Sequence, residues 1–307
     1  MYDNIDLTVY KENCPKVDFI KSVPQYLTNV SYHVNYAGEY VTGYLDSLKV
    51  NISERRVKII NSSLCKYYLG NNFKTLSKGD TKRAIEKISD SLNLPFDLAN
   101  VTRIDLAQNL IMQYPEKIYI PYLGEAQYYN RLEQNNGLYY NNHLRQLVFY
   151  GKVYEQKIKK QPIPELYKNR NVLRYEIRFK KRLRQQLKQP EITAGLLYDE
   201  VFYYNLVKRW KNEYLAIQKI NSKLINMKPT GSKKEFIENL ALFTVLELGQ
   251  PQVLKKVKEW QERAEISKKQ AYDLRTFIKQ LSKNPIDEKG NDLLNELDRK
   301  VKEAARF

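Results

Sequence analysis

Gln146-Leu147-Val148-Phe149-Tyr150-Gly151-Lys152-Val153 is the stretch on which the reading of this chain turns. Leu147, Phe149 and Val153 alternate with Gln146, Tyr150 and Lys152, the period of two expected of a strand with one face in a core and the other free. A phenol and an ammonium then share the free face two residues apart. A cation within a few ångströms favours phenolate and lowers a pKa that is about 10 when unperturbed. The pattern therefore predicts a nucleophile at Tyr150 with Lys152 activating it. The chain has 25 tyrosines, so this assignment rests on neighbouring strands and not on residue type.

Two other stretches share one form. Arg103-Ile104-Asp105 and Arg174-Tyr175-Glu176 are each Arg-x-acid on a strand whose intervening residues are apolar. Residues i and i+2 share a face, so each strand offers a guanidinium beside a carboxylate. His33 projects from its own strand opposite Tyr32 and Val34. If these strands neighbour the Tyr150 strand in one sheet, His33, Asp105 and Glu176 converge as an imidazole and two carboxylates. That set suits Mg²⁺ or Mn²⁺, hard ions that prefer oxygen, with imidazole shifting the choice toward Mn²⁺. The competing reading makes each Arg-x-acid motif an ordinary ion pair and His33 a hydrogen-bonded strand residue.

The surrounding pattern predicts an α+β fold, a large, mainly antiparallel central sheet flanked by helices and followed by a C-terminal helical domain. Strands are expected at Ile5 to Val9, Val30 to Val34, Tyr40 to Ile52, Val57 to Tyr68, Val101 to Met112 and Asn171 to Lys180. Leu138 to Tyr140 and Arg145 to Val153 flank Asn141-Asn142 as a hairpin, and residues 113 to 137 form a Tyr-rich connection. Ala84, Ile85, Ile88 and Leu92 have helical spacing before Pro95, and a second helical period runs from Leu196 to about Ile220. Pro229 and Gly231 mark a boundary, giving a catalytic domain over 1–228 and a helical domain over 229–307. In the latter, Ser232-Lys233-Lys234-Glu235 and Ser267-Lys268-Lys269-Gln270 have capping-box spacing. Val253 to Ala264 and Lys268 to Leu281 read as two helices, the second burying Ala271, Leu274, Phe277, Ile278 and Leu281. They make a candidate helix-turn-helix presenting Lys268, Lys269, Arg275 and Lys279 to DNA, and a plain helical bundle fits equally. The alternating charges from Glu288 to Phe307 predict an amphipathic helix.

Composition narrows the partners. Lys and Arg outnumber Asp and Glu by 52 to 35. Residues 145 to 188 hold 14 basic and 3 acidic side chains, so most of the +17 net charge falls in that stretch. A field so concentrated calls for a polyanion, first of all nucleic acid. Arg103, Arg174, Arg178, Lys180, Lys181, Arg182 and Arg184 are the candidate contacts. Cys14 and Cys65 form no CxxC pair, so neither a disulfide framework nor a zinc knuckle is supported. The acidic start and the absence of a long apolar run predict a cytoplasmic protein that does not enter a membrane.

Val101-Thr102-Arg103-Ile104-Asp105, then Arg145 to Lys152, then Val172-Leu173-Arg174-Tyr175-Glu176-Ile177-Arg178 resemble, in that order, the motif set of the filamentous-phage replication-initiation endonucleases, the gene II protein family. More remotely they are similar to Rep initiators of rolling-circle plasmids. Tyr32-His33-Val34 also resembles that family, and the resemblance spans roughly residues 30 to 220. It implies an enzyme that nicks one strand of a duplex origin, stays attached through a 5′-phosphotyrosine and later rejoins the strand. Tyr150 would be its nucleophile, and Asp105 and Glu176 its acidic residues. Origin DNA, duplex and single-stranded, and a host helicase and polymerase are the implied partners, and a homo-oligomer is compatible. One departure concerns the metal. Most rolling-circle nucleases hold it with a His-apolar-His strand, and this chain has only His33 and His143.

Three alternatives stay open. Tyr198, Tyr203 and Tyr204, on a helix, are rival nucleophiles. A metal-independent tyrosine recombinase would need a His-x-x-Arg that His143-Leu144-Arg145 does not supply. A non-enzymatic DNA-binding initiator would explain the charge and the C-terminal helices equally well.

Overall fold

Alternating apolar and polar side chains divide the central sheet into a core face and a polar face. The computed structural model describes residues 1–36, 38–220, 232–281 and 289–306. Its strands are β1 (Tyr2–Tyr10), β2 (Thr28–Asn35), β3 (Gly38–Leu45), β4 (Leu48–Ser53), β5 (Arg56–Ile59), β6 (Asn100–Met112), β7 (Leu123–Ala126), β8 (Asn130–Gln134), β9 (Gly137–Asn141), β10 (Arg145–Gly151), β11 (Asn171–Phe179) and β12 (Ile217–Lys219). Ten of them form one sheet in the order β2-β3-β4-β5-β1-β6-β11-β10-β9-β8, each neighbouring pair antiparallel. The helices are α1 (Phe19–Ser22), α2 (Leu64–Leu69), α3 (Lys78–Leu92), α4 (Glu116–Tyr119), α5 (Lys152–Ile158), α6 (Leu183–Leu187), α7 (Glu200–Leu215), α8 (Lys233–Leu248), α9 (Gln250–Glu262), α10 (Lys268–Leu281) and α11 (Lys289–Ala304). The expected α+β class, with its antiparallel sheet and helical C-terminal region, is what the chain adopts.

Ile104, Leu106, Leu147, Phe149, Tyr175 and Ile177 are fully buried on the core face. Helix α7 covers them. Phe149 stacks on Tyr175 at 4.5 Å, Tyr175 lies 4.8 Å from Trp210, and the Tyr175 hydroxyl donates to the Trp210 carbonyl at 3.0 Å. The hairpin forms as the pattern requires. Asn142 Oδ1 accepts from the backbone N–H groups of Leu144 and Arg145, closing the turn between β9 and β10.

Several boundaries differ from the sequence reading. The stretch from Val57 to Tyr68 is not one strand: β5 ends at Ile59, and Ser63 caps α2 by accepting from the Lys66 N–H. Small and polar residues at 61–63 offered a turn that the apolar count hid. The Tyr-rich connection contains α4, β7 and β8, the last a member of the main sheet. The strand expected to reach Val153 stops at Gly151, which becomes the N-cap of α5. The expected boundary at Pro229 and Gly231 lies outside the described residues.

Residues 1–120, 125–218 and 298–307 make one compact unit and residues 121–124 and 219–297 another. In the second, Val245, Val257, Ala271 and Ile278 form a core, with Val253, Leu254, Trp260 and Ile266 packed against it. Ser267 and Gln270 complete the expected capping box at the start of α10. Leu274, expected in the buried stripe, is exposed. No described helix is long and apolar enough to cross a membrane.

Phe149→Ala removes the ring that Tyr175 stacks on and leaves a cavity against α7. It should lower the stability of the first unit by about 3–5 kcal/mol, measured as a shift in the urea midpoint.

Candidate active site

Strand register assembles the site on the polar face. Across β10 and β11, Tyr150 lies opposite Arg174, Val148 opposite Glu176 and Gln146 opposite Arg178. Across β11 and β6, Arg178 lies opposite Asp105 and Arg174 opposite Asn109. The Tyr150 hydroxyl donates to Glu176 Oε1 at 2.9 Å. Arg174 Nε donates to the same oxygen at 2.6 Å, and Arg178 donates to Oε2 through Nε at 2.8 Å and Nη2 at 2.6 Å. Arg103 grips Asp105 bidentately at 2.9 and 2.7 Å. The two acids therefore stand diagonally on neighbouring strands, with a phenol beside one of them.

Asp3, which the sequence reading missed, completes the cluster. A register shift between Tyr2 and Ile5 in β1 turns Asp3 and Asn4 both toward the polar face. Asp3 Oδ2 accepts from Arg174 Nη2 at 2.5 Å and Oδ1 from the Ser63 hydroxyl at 2.7 Å, and the Asn4 amide donates to Asp105 at 3.1 Å. Arg174 Nη1 also reaches the Asn72 carbonyl and Asn109 Oδ1, both at 3.1 Å. Nothing in the period of β1 marked Asp3, because the bulge breaks the alternation on which that reading depends.

Burial sets the electrostatics. Tyr150 is held well above the usual phenol range, by desolvation first and the charge of Glu176 second. Burial alone would raise the Glu176 carboxyl. Arg174 and Arg178 overcome it and hold that group well below the usual carboxylate range. Asp105, 0% exposed, is pushed up to about 6 by desolvation, which Arg103 only partly offsets.

Lys152 does not share the strand face with Tyr150. The chain turns helical at Gly151, where a Cβ would meet the Glu116 carboxylate at 2.5–2.7 Å, and Lys152 begins α5 buried. Its ammonium pairs with Glu155 at 2.7 Å and lies 6.0 Å from the centre of the Tyr150 ring. The expected lowering of the Tyr150 pKa is absent, because burial and the charge of Glu176 outweigh any cation nearby. His33 is also elsewhere. It stays on the polar face, but β2 is five strand spacings from β6, roughly 24 Å at ~4.8 Å each. There it stacks on Tyr40 at 4.7 Å and shares a 3.0 Å hydrogen bond with Thr42.

The rival tyrosines sit with the elements on the core face. Tyr203 accepts from the Met1 amino group at 2.8 Å and packs 5.5 Å from Tyr2, while Tyr198 ends the turn before α7 and Tyr204 is exposed on it. Tyr150 instead forms part of a cavity of about 240 Å³ with Asn136, Tyr139, Tyr154, Lys159 and Arg178. Close packing fixes the backbone here, since a Cβ on Gly137 would lie 2.3 Å from the Phe149 carbonyl oxygen and 2.9 Å from Tyr150 Cβ.

Of the candidate DNA contacts, Arg174 is fully buried and cannot touch a ligand without rearrangement, whereas Arg103 and Arg178 are partly exposed. Lys180, Lys181, Arg182 and Arg184 are exposed around a groove of about 550 Å³ that Tyr10 also lines. Lys268 and Lys269 are exposed, but Arg275 is turned inward, donating to Gln261 at 2.8 Å and to the Ala271 carbonyl at 3.0 Å. Among the described residues no group of three or more His, Cys, Asp or Glu side chains is arranged to hold a metal ion. Asp105 and Glu176 are oxygen donors of the kind Mg²⁺ takes, one or two carboxylates with water and substrate phosphate completing the shell, but here their oxygens accept from Arg103, Arg174 and Arg178.

Tyr150 thus stands at a cavity beside paired carboxylates and guanidiniums, on a sheet face flanked by exposed cations. The Phage_CRI family model, which describes the N-terminal domain of a phage replication-associated protein of the gene II type, matches residues 2–213, and the chain belongs to that family. The match contains every residue of the cluster, from Asp3 to Arg178. A comparison with curated proteins found no match.

Arg174→Ala would strand two buried carboxylates and should cost about 3–5 kcal/mol in urea unfolding. The partly exposed Arg178 should cost less. Because Asp105 is raised in the folded state, its contribution to stability is full below about pH 4 and is lost as pH rises through about 6. Asp105→Asn should remove that loss in metal-free buffer, seen as a flatter dependence of the urea midpoint between about pH 4 and 6.

Proposed function

We propose that this member of the phage replication-associated family is a rolling-circle replication initiator that nicks one strand of origin DNA and rejoins it, with Tyr150 as nucleophile. The observation that carries this reading is the 2.9 Å hydrogen bond from the Tyr150 hydroxyl to Glu176, made on the polar face beside Asp105. Tyr198, Tyr203 and Tyr204 lie with the core-face elements, away from that acidic pair. In the proposed step the phenolic oxygen forms a bond to the scissile phosphorus and the bond to the 3′ oxygen breaks. The phenolic proton ends on that leaving oxygen. The products are a 5′-phosphotyrosine and a free 3′-OH, and the reverse exchange rejoins the strand without ATP.

Glu176 orients the hydroxyl through the observed hydrogen bond. Arg103 and Arg178, each partly exposed and already on the polar face, are the guanidiniums placed to take phosphate oxygens. Mg²⁺ or Mn²⁺ held by Asp105 and Glu176 would polarise the scissile phosphate. With His33 distant, no imidazole tips the choice toward Mn²⁺. Lys180, Lys181, Arg182 and Arg184 grip the backbone, and Lys268 and Lys269, at the start of α10, give the helical domain (229–307) a second contact with duplex. The enzyme acts in the cytoplasm of a bacterial host, where a helicase unwinds the nicked duplex and a polymerase extends the 3′ end.

Incubation with a labelled single-stranded oligonucleotide library and Mn²⁺, followed by denaturing electrophoresis and peptide mapping, tests the assignment. Tyr150→Phe should lose the covalent adduct, EDTA should abolish it in the wild type, and the triple Tyr198→Phe, Tyr203→Phe, Tyr204→Phe variant should retain it. An adduct that persists in Tyr150→Phe would refute the nucleophile. No adduct under any divalent ion would leave a non-enzymatic initiator.

A further inference from the structure

The polar face does not end at the catalytic strands. On β2 to β5 it forms a groove of about 600 Å³ whose lining includes His33, Tyr40, Lys49, Asn51, Arg56 and Lys58. The proposed step uses none of these residues. Register places them on one face. His33 lies opposite Tyr40, Thr42 opposite Asn51, and Asn51 opposite Lys58. Lys58 in turn lies opposite Thr8 of β1, on the same side as Asp6 and Arg103.

We propose that this groove binds single-stranded DNA, holding its phosphates on Lys49, Arg56 and Lys58 and its bases against the His33–Tyr40 stack. The inference rests on the nicking reading, since nicking is what frees a single strand, and it extends that reading to a surface four to seven strand spacings from β10.

Three observations point to this occupant. The charge is complementary: three cations line the groove against one acid, Glu39. Lys58 sits close enough to Arg56 that, after burial, the arginine's charge is the next cause lowering its pKa, so the pair gains from an added anion. Next, His33 and Tyr40 are stacked at 4.7 Å with their planes 16° apart, a flat π surface of the kind on which unpaired bases stack without sequence preference. A duplex hides those base faces, and reading it through the major groove calls for a helix or two-stranded ribbon entering the groove, not the face of a sheet. Finally, Asn51 Oδ1 is buried in the groove without a hydrogen-bond partner. An acceptor in that state is costly, and since it has no accessible surface as it stands, a base N–H satisfies it once the side chain rotates toward the groove.

The test uses the full chain in EDTA, where the nicking step is silent. A fluorescent oligothymidylate of about 16 nucleotides, within the range of single-strand binding sites, is titrated and followed by anisotropy. The double variants Arg56→Glu/Lys58→Glu and His33→Ala/Tyr40→Ala should each weaken binding by at least about tenfold, with affinity for a hairpin duplex little changed. Thermal melts confirm that each variant is folded. As a measurement independent of any variant, wild-type protein irradiated with an iododeoxyuridine-substituted strand should give crosslinked peptides containing His33 or Tyr40. Crosslinks confined to other strands, unchanged affinity in both folded double variants, or tighter binding to RNA of the same sequence would overturn the proposal. Adduct formation at Tyr150 is scored separately. Loss of the adduct with groove binding intact fails the nicking reading alone, and an intact adduct with unaltered groove affinity fails this one alone.

Discussion

Arg174 is the constraint on which the rest of the first unit depends. Its guanidinium is fully buried, and its partners come from four parts of the chain: Asp3 in β1, the Asn72 carbonyl after α2, Asn109 in β6 and Glu176 in β11. A buried cation is tolerable only when paired and fully hydrogen-bonded. Supplying those partners fixes β1, β6 and β11 side by side and requires the irregularity that turns Asp3 inward. Tyr150 is then directly opposite Arg174 on β10. The same pairing that makes the charge bearable therefore delivers the phenol to Glu176.

The period of two carried most of the fold. It placed Asp105, Glu176 and Tyr150 on one face because i and i+2 geometry is local and survives whatever the strand order is. Strand order is not local, and this is where the reading of His33 failed. Its parity was right, but four strands separate β2 from β6. Lys152 failed for a different reason, since a glycine at the strand end allowed an immediate turn into α5 that apolar alternation cannot reveal. The plain ion-pair reading of Arg-x-acid also proved correct as geometry, because Arg103 does hold Asp105 and Arg174 does hold Glu176.

The basic stretch divides along the same lines. Arg145 points to the core-face side and pairs with Glu213 of α7, and Lys152, Arg174 and Arg178 are spent on internal acids. What remains at the surface is the cluster from Lys180 to Arg184, with Lys168, Arg170, Lys188 and the lysines of α5 and its following turn. A net charge read from sequence thus overstates the field a ligand meets, while still identifying its sign and its neighbourhood.

Those internal pairs also bear on how a buried phenol could react. Glu176 accepts four hydrogen bonds, so both of its oxygens are occupied, and its charge together with burial keeps Tyr150 protonated. In that state the hydroxyl is a poor nucleophile, and Glu176, held as carboxylate by two arginines, is a poor base. Under the nicking reading, activation must therefore arrive with the substrate. A phosphate drawing Arg178 outward, or a cation taking its place on Glu176, changes the charge beside the phenol in opposite directions. Loss of the guanidinium alone raises the Tyr150 pKa further, and only a cation of higher charge in its place lowers it. A divalent ion held by Asp105 and Glu176 would supply that charge, and it would need Arg178 to have a DNA phosphate to bind instead.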